Sequence, residues 1–101
     1  MWIQCVCGNQ IKDVSDEVRY KARYISDKDW FYLLDKVESL IESNEPDRDK
    51  LRREFIDLMF QRTKDMYQCM ECGRLFVDNK DRMLSRFAPE LNADKDIFNT
   101  K

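Results

Sequence analysis

The sequence predicts an α+β fold, with a small antiparallel sheet and two antiparallel helices packed on one face. Three observations carry this expectation. Short alternating segments occupy both ends of the chain, and two apolar stripes at helical spacing occupy the middle. Four cysteines form two close pairs at opposite ends, Cys5-Val6-Cys7-Gly8 and Cys69-Met70-Glu71-Cys72-Gly73, and each pair is followed by one of the chain's two glycines.

Taken in order, Trp2 to about Val14 reads as a strand, a first cysteine turn and a short strand at Gln10–Val14. A polar break follows at Ser15-Asp16-Glu17. From Val18 to Tyr24 the residues alternate, with Val18, Tyr20, Ala22 and Tyr24 on one face and Arg19, Lys21 and Arg23 on the other, as in a half-buried strand. Ser26 is the expected N-cap of a first helix with acids in its opening turn. Its apolar stripe, Trp30, Leu33, Leu34, Val37, Leu40 and Ile41, predicts one buried face. Ser43-Asn44-Glu45 ends it, and Pro46 suits the first turn of a second helix running to about Lys64. That helix carries Leu51, Phe55, Leu58 and Met59 on one side, with Ile56 and Phe60 on the far side. Strands are then expected at Met66–Cys69, at Arg74–Val77 and, after a turn at Asp78–Asp81, at Met83–Ala88. The predicted organisation is one domain at 1–89 with a helical insertion at about 26–64. The tail at 90–101 is expected to be flexible, with Ile97 and Phe98 able to dock.

Charged residues make up 38% of the chain and apolar ones 43%, the balance of a compact soluble protein. Eighteen basic against twenty acidic residues give a formal charge of −2, so there is no global attraction to nucleic acid. No apolar run is long enough for a bilayer, and Met1-Trp2-Ile3-Gln4 lacks the pattern of a signal peptide. A cytoplasmic location is therefore expected, where paired cysteines read as metal or redox centres rather than structural disulfides. Histidine is absent, which removes the commonest general base and leaves cysteine as the soft metal ligand.

A glycine after the second thiol permits the left-handed turn that a metal-binding knuckle needs. Four thiolates in two short pairs suit one tetrahedral ion, so Cys5, Cys7, Cys69 and Cys72 are the candidate ligands of a single structural Zn2+. Together the two knuckles resemble a zinc ribbon, in which two thiol-bearing turns at hairpin tips clamp one zinc. Tyr67-Gln68-Cys69-Met70-Glu71-Cys72-Gly73-Arg74-Leu75-Phe76 follows that pattern closely. Cys5 and Cys7, one residue apart, depart from the usual spacing of two to four. The interval between knuckles, some 60 residues, implies a ribbon split by a strand and two helices. Three other uses of the thiols stand beside this one: a thiol redox pair, four buried free thiols, and an iron–sulfur cluster. No basic residue flanks Cys5 or Cys7 to depress a thiol pKa. A full shell of four thiolates leaves no open position for catalysis, which points to a structural ion.

The outer face of the first helix carries Phe31, Tyr32, Asp35, Glu38 and Glu42, and the stretch from Asp27 to Glu42 holds five acids against two lysines. Either the aromatics tuck against a strand, or this face docks a basic protein, the aromatics anchoring and the acids steering. Arg19, Lys21, Arg23 and Arg74 form the alternative surface, for nucleic acid, which interleaved acids weaken. With no histidine, glycine-rich phosphate loop or nucleophile elbow, no enzyme is expected. The sequence thus points to a non-enzymatic, cytoplasmic zinc-binding adaptor that recognises a basic protein. In size and charge it is similar to bacterial immunity-type or inhibitory proteins. The alternatives are a regulatory nucleic-acid-binding zinc ribbon and a thiol redox sensor.

Overall fold

The computed structural model describes residues 2–12, 18–79, 83–91 and 94–99. In chain order the elements are β1 (Trp2–Gln4), β2 (Gln10–Lys12), β3 (Lys21–Tyr24), α1 (Asp27–Glu42), α2 (Arg48–Arg62), β4 (Lys64–Gln68), β5 (Leu75–Asp78) and β6 (Leu84–Phe87). The fold is α+β, but with two antiparallel sheets where one was expected. β1 and β2 form a two-stranded ribbon, and the second sheet has the order β3-β4-β5-β6. Each cysteine turn closes its own hairpin, so the backbone ladders of the two hairpins stay separate. The chain divides into two compact units, Met1–Arg23 with Asp65–Lys101, and Tyr24–Lys64.

In the first unit, alternation places one residue of each ribbon strand in the core, because successive side chains point to opposite faces. Ile3 and Ile11 are cross-strand partners and both are buried. Across the other hairpin Tyr67 pairs with Phe76, again both buried. These four side chains, with Cys5 and Cys69, form the core, and Tyr20, Cys72 and Leu84 pack against it. Lys21 N–H donates to the Val18 carbonyl, so the stretch before Lys21 is a turn and β3 is shorter than the predicted Val18–Tyr24. The expected β2 residues Asp13 and Val14, the break at Ser15–Glu17, and Lys80 and Asp81 of the expected turn lie outside the described residues. Asn79 N–H donates to the Met83 carbonyl at 2.9 Å, and its side-chain oxygen accepts from Met83 N–H at 3.2 Å.

Gln68, on the opposite face of β4 from Tyr67, is buried and fully partnered. Its amide donates to the carbonyls of Gly73 at 3.3 Å and Asp94 at 3.0 Å, and its oxygen accepts from Ile97 N–H at 2.9 Å. Asn99 donates to the Arg19 carbonyl, and Asp96 is ion-paired to Arg19. Residues 94–99, which fall in the tail expected to be flexible, thus have a backbone anchor. A buried amide needs partners, and this segment supplies them.

The second unit is a helical hairpin. Ser26 caps α1 as expected, its hydroxyl accepting from Asp29 N–H. Asn44 turns the chain at φ +56°, a left-handed conformation that Asn tolerates. α2 begins later than expected: Asp47, not a residue before Pro46, is its N-cap, accepting from Asp49 N–H and Lys50 N–H, so Pro46 precedes the helix. At the far end, the Arg62 guanidinium lies 4.0 Å from the Tyr32 ring and 3.2 Å from the Asp29 carboxylate. The antiparallel pairing is therefore as predicted, but the burial is not. Of the α1 stripe only Leu33 is buried, while Leu34 is 44% and Ile41 77% exposed. Leu40 lines the grooves on both sides of the helix–helix contact. α1 therefore faces α2 with its Leu40 side, and a rotation of about 100° along the stripe carries Trp30, Leu34 and Ile41 out of that contact. α2 has no buried residue.

Candidate metal centre

The first cysteine turn is fixed by two hydrogen bonds, Cys5 N–H to the Asn9 carbonyl at 2.9 Å and Gly8 N–H to the Cys5 carbonyl at 3.0 Å. The second repeats them as Cys69 N–H to the Arg74 carbonyl at 2.8 Å and Gly73 N–H to the Cys69 carbonyl at 2.7 Å. Gly8 and Gly73 have φ of +101° and +86°, values that side chains rarely adopt. The one-residue spacing of Cys5 and Cys7 is thus accommodated in the same kind of turn as the two-residue spacing of Cys69 and Cys72.

These turns bring all four candidate ligands together. The Sγ atoms of Cys5, Cys7, Cys69 and Cys72 lie within 4.8 Å of one another. Two hydrogen-bonded contacts join opposite knuckles, Cys5 to Cys72 and Cys7 to Cys69, both 3.5 Å. That is far beyond the ~2.05 Å of a disulfide bond, and the four cysteines are free. Cys5 and Cys69 are buried in the core while Cys7 is exposed. Such a cluster of soft donors, each offering one sulfur toward a common centre, can hold a metal ion.

The surroundings divide the thiols into two kinds. Burial pushes Cys5 up, against the opposing pull of the Cys7 backbone N–H. At Cys7 the largest influence is the Asn9 backbone N–H, which favours thiolate, yet burial and the neighbouring thiols outweigh it and carry the group to about 12. Burial also opposes ionisation at Cys69, but the Asn9 side chain, at 3.4 Å from its sulfur, and the N–H groups of Cys72 and Glu71 bring it down. Cys72 is lowered to about 6 despite its burial, through the Arg74 backbone N–H and the guanidinium 3.3 Å away. Each cross-knuckle pair thus joins a thiol raised from its ordinary value in the first turn to one lowered in the second, and either sulfur can donate the hydrogen between them. A metal cation bound there would displace the shared protons and be held by four thiolates. Asn9 and Arg74, next to the glycines, reach these sulfurs with hydrogen bonds, a placement that the sequence pattern does not show. Arg74, which belongs to the alternative nucleic-acid set, follows directly after the knuckle glycine, and its guanidinium lies 3.3 Å from the Cys72 sulfur.

The other sequence-derived candidates lie elsewhere. Phe31, Asp35, Glu38 and Glu42 are exposed on α1. Tyr32 turns toward α2, stacking on Arg62 and lining a groove with Leu40, Glu54 and Leu58. The five are thus split between two sides of the helix. Of the basic set, Arg19 pairs with Asp96, Arg23 lies 3.7 Å from Asp65, Lys21 sits 5.9 Å over the Tyr67 ring, and Arg74 serves Cys72. Among the described residues, no helix is long and apolar enough to cross a membrane.

The model of a family described as "Domain of unknown function (DUF8617)" matches residues 1–100, and the chain belongs to that family. No curated protein and no solved structure matches the chain.

Proposed function

We propose that this member of the DUF8617 family is a non-enzymatic zinc-binding module that recognises another protein, its zinc serving to fix the fold. The observation that carries the reading is the convergence of four sulfurs, two from each end of the chain, within 4.8 Å. Tetrahedral zinc with Zn–S bonds of about 2.3 Å places its sulfurs about 3.8 Å apart, so the cross-knuckle separations need only a small expansion. A multi-iron cluster distributes its thiolates over several metal atoms and would need a wider cage. Four sulfurs complete the zinc shell, which supports a structural role over a catalytic one. Asn9 and Arg74 supply hydrogen bonds to the sulfurs, the outer support that thiolate sites use.

Recognition of a protein is supported by the helical hairpin, whose apolar residues outnumber those it buries, beside an acidic edge on α1. The engagement of Arg19, Arg23 and Arg74 within the chain weighs against a phosphate-tracking surface. Elemental analysis of protein purified without chelator tests the metal: one zinc per chain is expected, falling to none in Cys69→Ser/Cys72→Ser. Metal-free wild-type protein with full thermal stability would overturn the reading.

A further inference from the structure

The hairpin displays an apolar groove that nothing in its own unit fills, lined by Val37, Leu40 and Ile41 of α1 and by Leu51, Arg52 and Phe55 of α2. On α1, Trp30, Leu34, Val37 and Ile41 follow one another at intervals of four, three and four residues, the seam of a helix that packs against other helices. On α2, Leu51, Phe55 and Leu58 repeat the same spacing. Trp30, Leu34, Ile41 and Phe55 all remain exposed. Two helices make half of a four-helix bundle, and this pair carries the apolar seams of the missing half.

The edges of the groove have opposite charge. At 100° per residue, Glu38 and Glu42 flank the α1 seam on the side away from α2, and α1 has acids in its first turn and no base in its last. On α2, Arg48 and Arg52 flank the seam on the side away from α1. Arg52 lies in the groove wall and shares an exposed ion pair with Asp49 at 3.4 Å, a weak contact that a second copy's carboxylates can join or replace. The hairpin is thus negative along one rim and positive along the other, which makes it complementary to itself when turned about its long axis.

We propose that the protein recognised by this surface is a second copy of the chain, two hairpins closing into an antiparallel four-helix bundle about a two-fold axis parallel to the helices. The proposal rests on the protein-recognition reading above and names its partner. Rotation about that axis sets α1 of one copy opposite α2 of the other, so every helix has two antiparallel neighbours and the groove of each copy covers the other. It also keeps heights matched: Glu38 and Glu42 face Arg48 and Arg52 of the second copy at the level where Ile41 meets Leu51 and Phe55. The alternative two-fold axis, perpendicular to the helices, would oppose acidic α1 to acidic α1 and is disfavoured. The basic partner that the acidic helix fits is, on this account, its own second helix in another molecule.

Sedimentation equilibrium on full-length, metal-loaded protein tests the assembly. Wild type is expected at twice the 12.3 kDa of one chain. Glu38→Arg/Glu42→Arg and Arg48→Glu/Arg52→Glu, each alone, oppose like charges and are expected to sediment as monomers with wild-type helical circular dichroism. Their equimolar mixture restores complementary rims and is expected to recover the dimer. Ile41→Asp, which puts a charge on the seam, is expected to be monomeric in every combination. A wild-type monomer at ~100 μM, a concentration well above micromolar dissociation constants, overturns the self-association and leaves recognition of a different protein standing. A dimer that survives all three variants places the contact away from the hairpin and overturns the four-helix bundle.

Discussion

At the scale of single residues, the site depends on two glycines whose demands differ. Both have positive φ, but a Cβ on Gly8 would meet nothing within 4 Å, whereas one on Gly73 would lie 3.3 Å from Pro89 Cγ. Gly8→Ala therefore carries the backbone strain alone, about 1–2 kcal/mol, and Gly73→Ala adds a tight contact that the Pro89 ring must yield to; the denaturation midpoint is expected to fall further for Gly73→Ala. Arg74→Ala removes the guanidinium from the Cys72 sulfur, and loss of such outer support typically costs ~10–100-fold in metal affinity. Competition with a chromophoric chelator measures it, with Arg74→Lys expected to recover part of the loss. Asp96 carries a separate pH dependence. Arg19 first, then Asn99, hold its carboxyl below the usual range. A depressed carboxylate stabilises the fold above its unfolded value of ~3.9 and loses that contribution as pH falls through the folded value. A carboxyl carbon NMR titration is expected to place Asp96 below ordinary Asp, and Arg19→Ala to raise it toward the normal range. The cysteine cluster was legible because thiols, spacing and glycines coincide in sequence. Asn9 and Arg74 were not, because a hydrogen bond to sulfur leaves no periodic mark.

At the scale of elements, the helices were readable because caps and apolar spacing are local signals. Ser26 and the α1 residues after it fall where the pattern put them, and the Asp47 cap displaced the expected start only slightly, since an Asp that accepts from two backbone N–H groups is a stronger start signal than the proline before it. Asp47→Ala is expected to destabilise the hairpin by ~1 kcal/mol, read as a lower midpoint of helical circular dichroism. Which stripe residues are buried was not readable. Leu33 and Ile41 have the same chemistry, but only the first is buried, because the azimuth at which α1 meets its neighbours is set by packing. Gln68 is the opposite case. A polar residue in a strand reads as solvent-facing, yet it is buried because residues 94–97 return to bond it. Gln68→Ala is expected to leave the Ile97 N–H and Asp94 carbonyl unpaired, costing ~1–3 kcal/mol, and to raise amide exchange at 94–99.

At the scale of the whole molecule, the two hairpins share one core and one cluster of sulfurs, so Cys5 and Cys69 are both core residues and members of the cluster that could hold a metal ion. Chelation is expected to disorder the unit formed by the two ends of the chain, seen as loss of near-UV signal and of stability on the scale of structural zinc binding, about 10–16 kcal/mol in small peptides. The acidic face of α1 points to a basic partner, but surface charge reports attraction and not shape, so it does not identify that partner. The sequence by itself determined the α+β class, the order of strands and helices, and the four thiols, since each rests on residue type and short-range spacing. Only the tertiary structure decided that the strands form two sheets, that cross-knuckle sulfurs pair at 3.5 Å, and that the helical seams remain open. Those outcomes depend on how distant segments are rotated and placed against one another, and no local pattern encodes that.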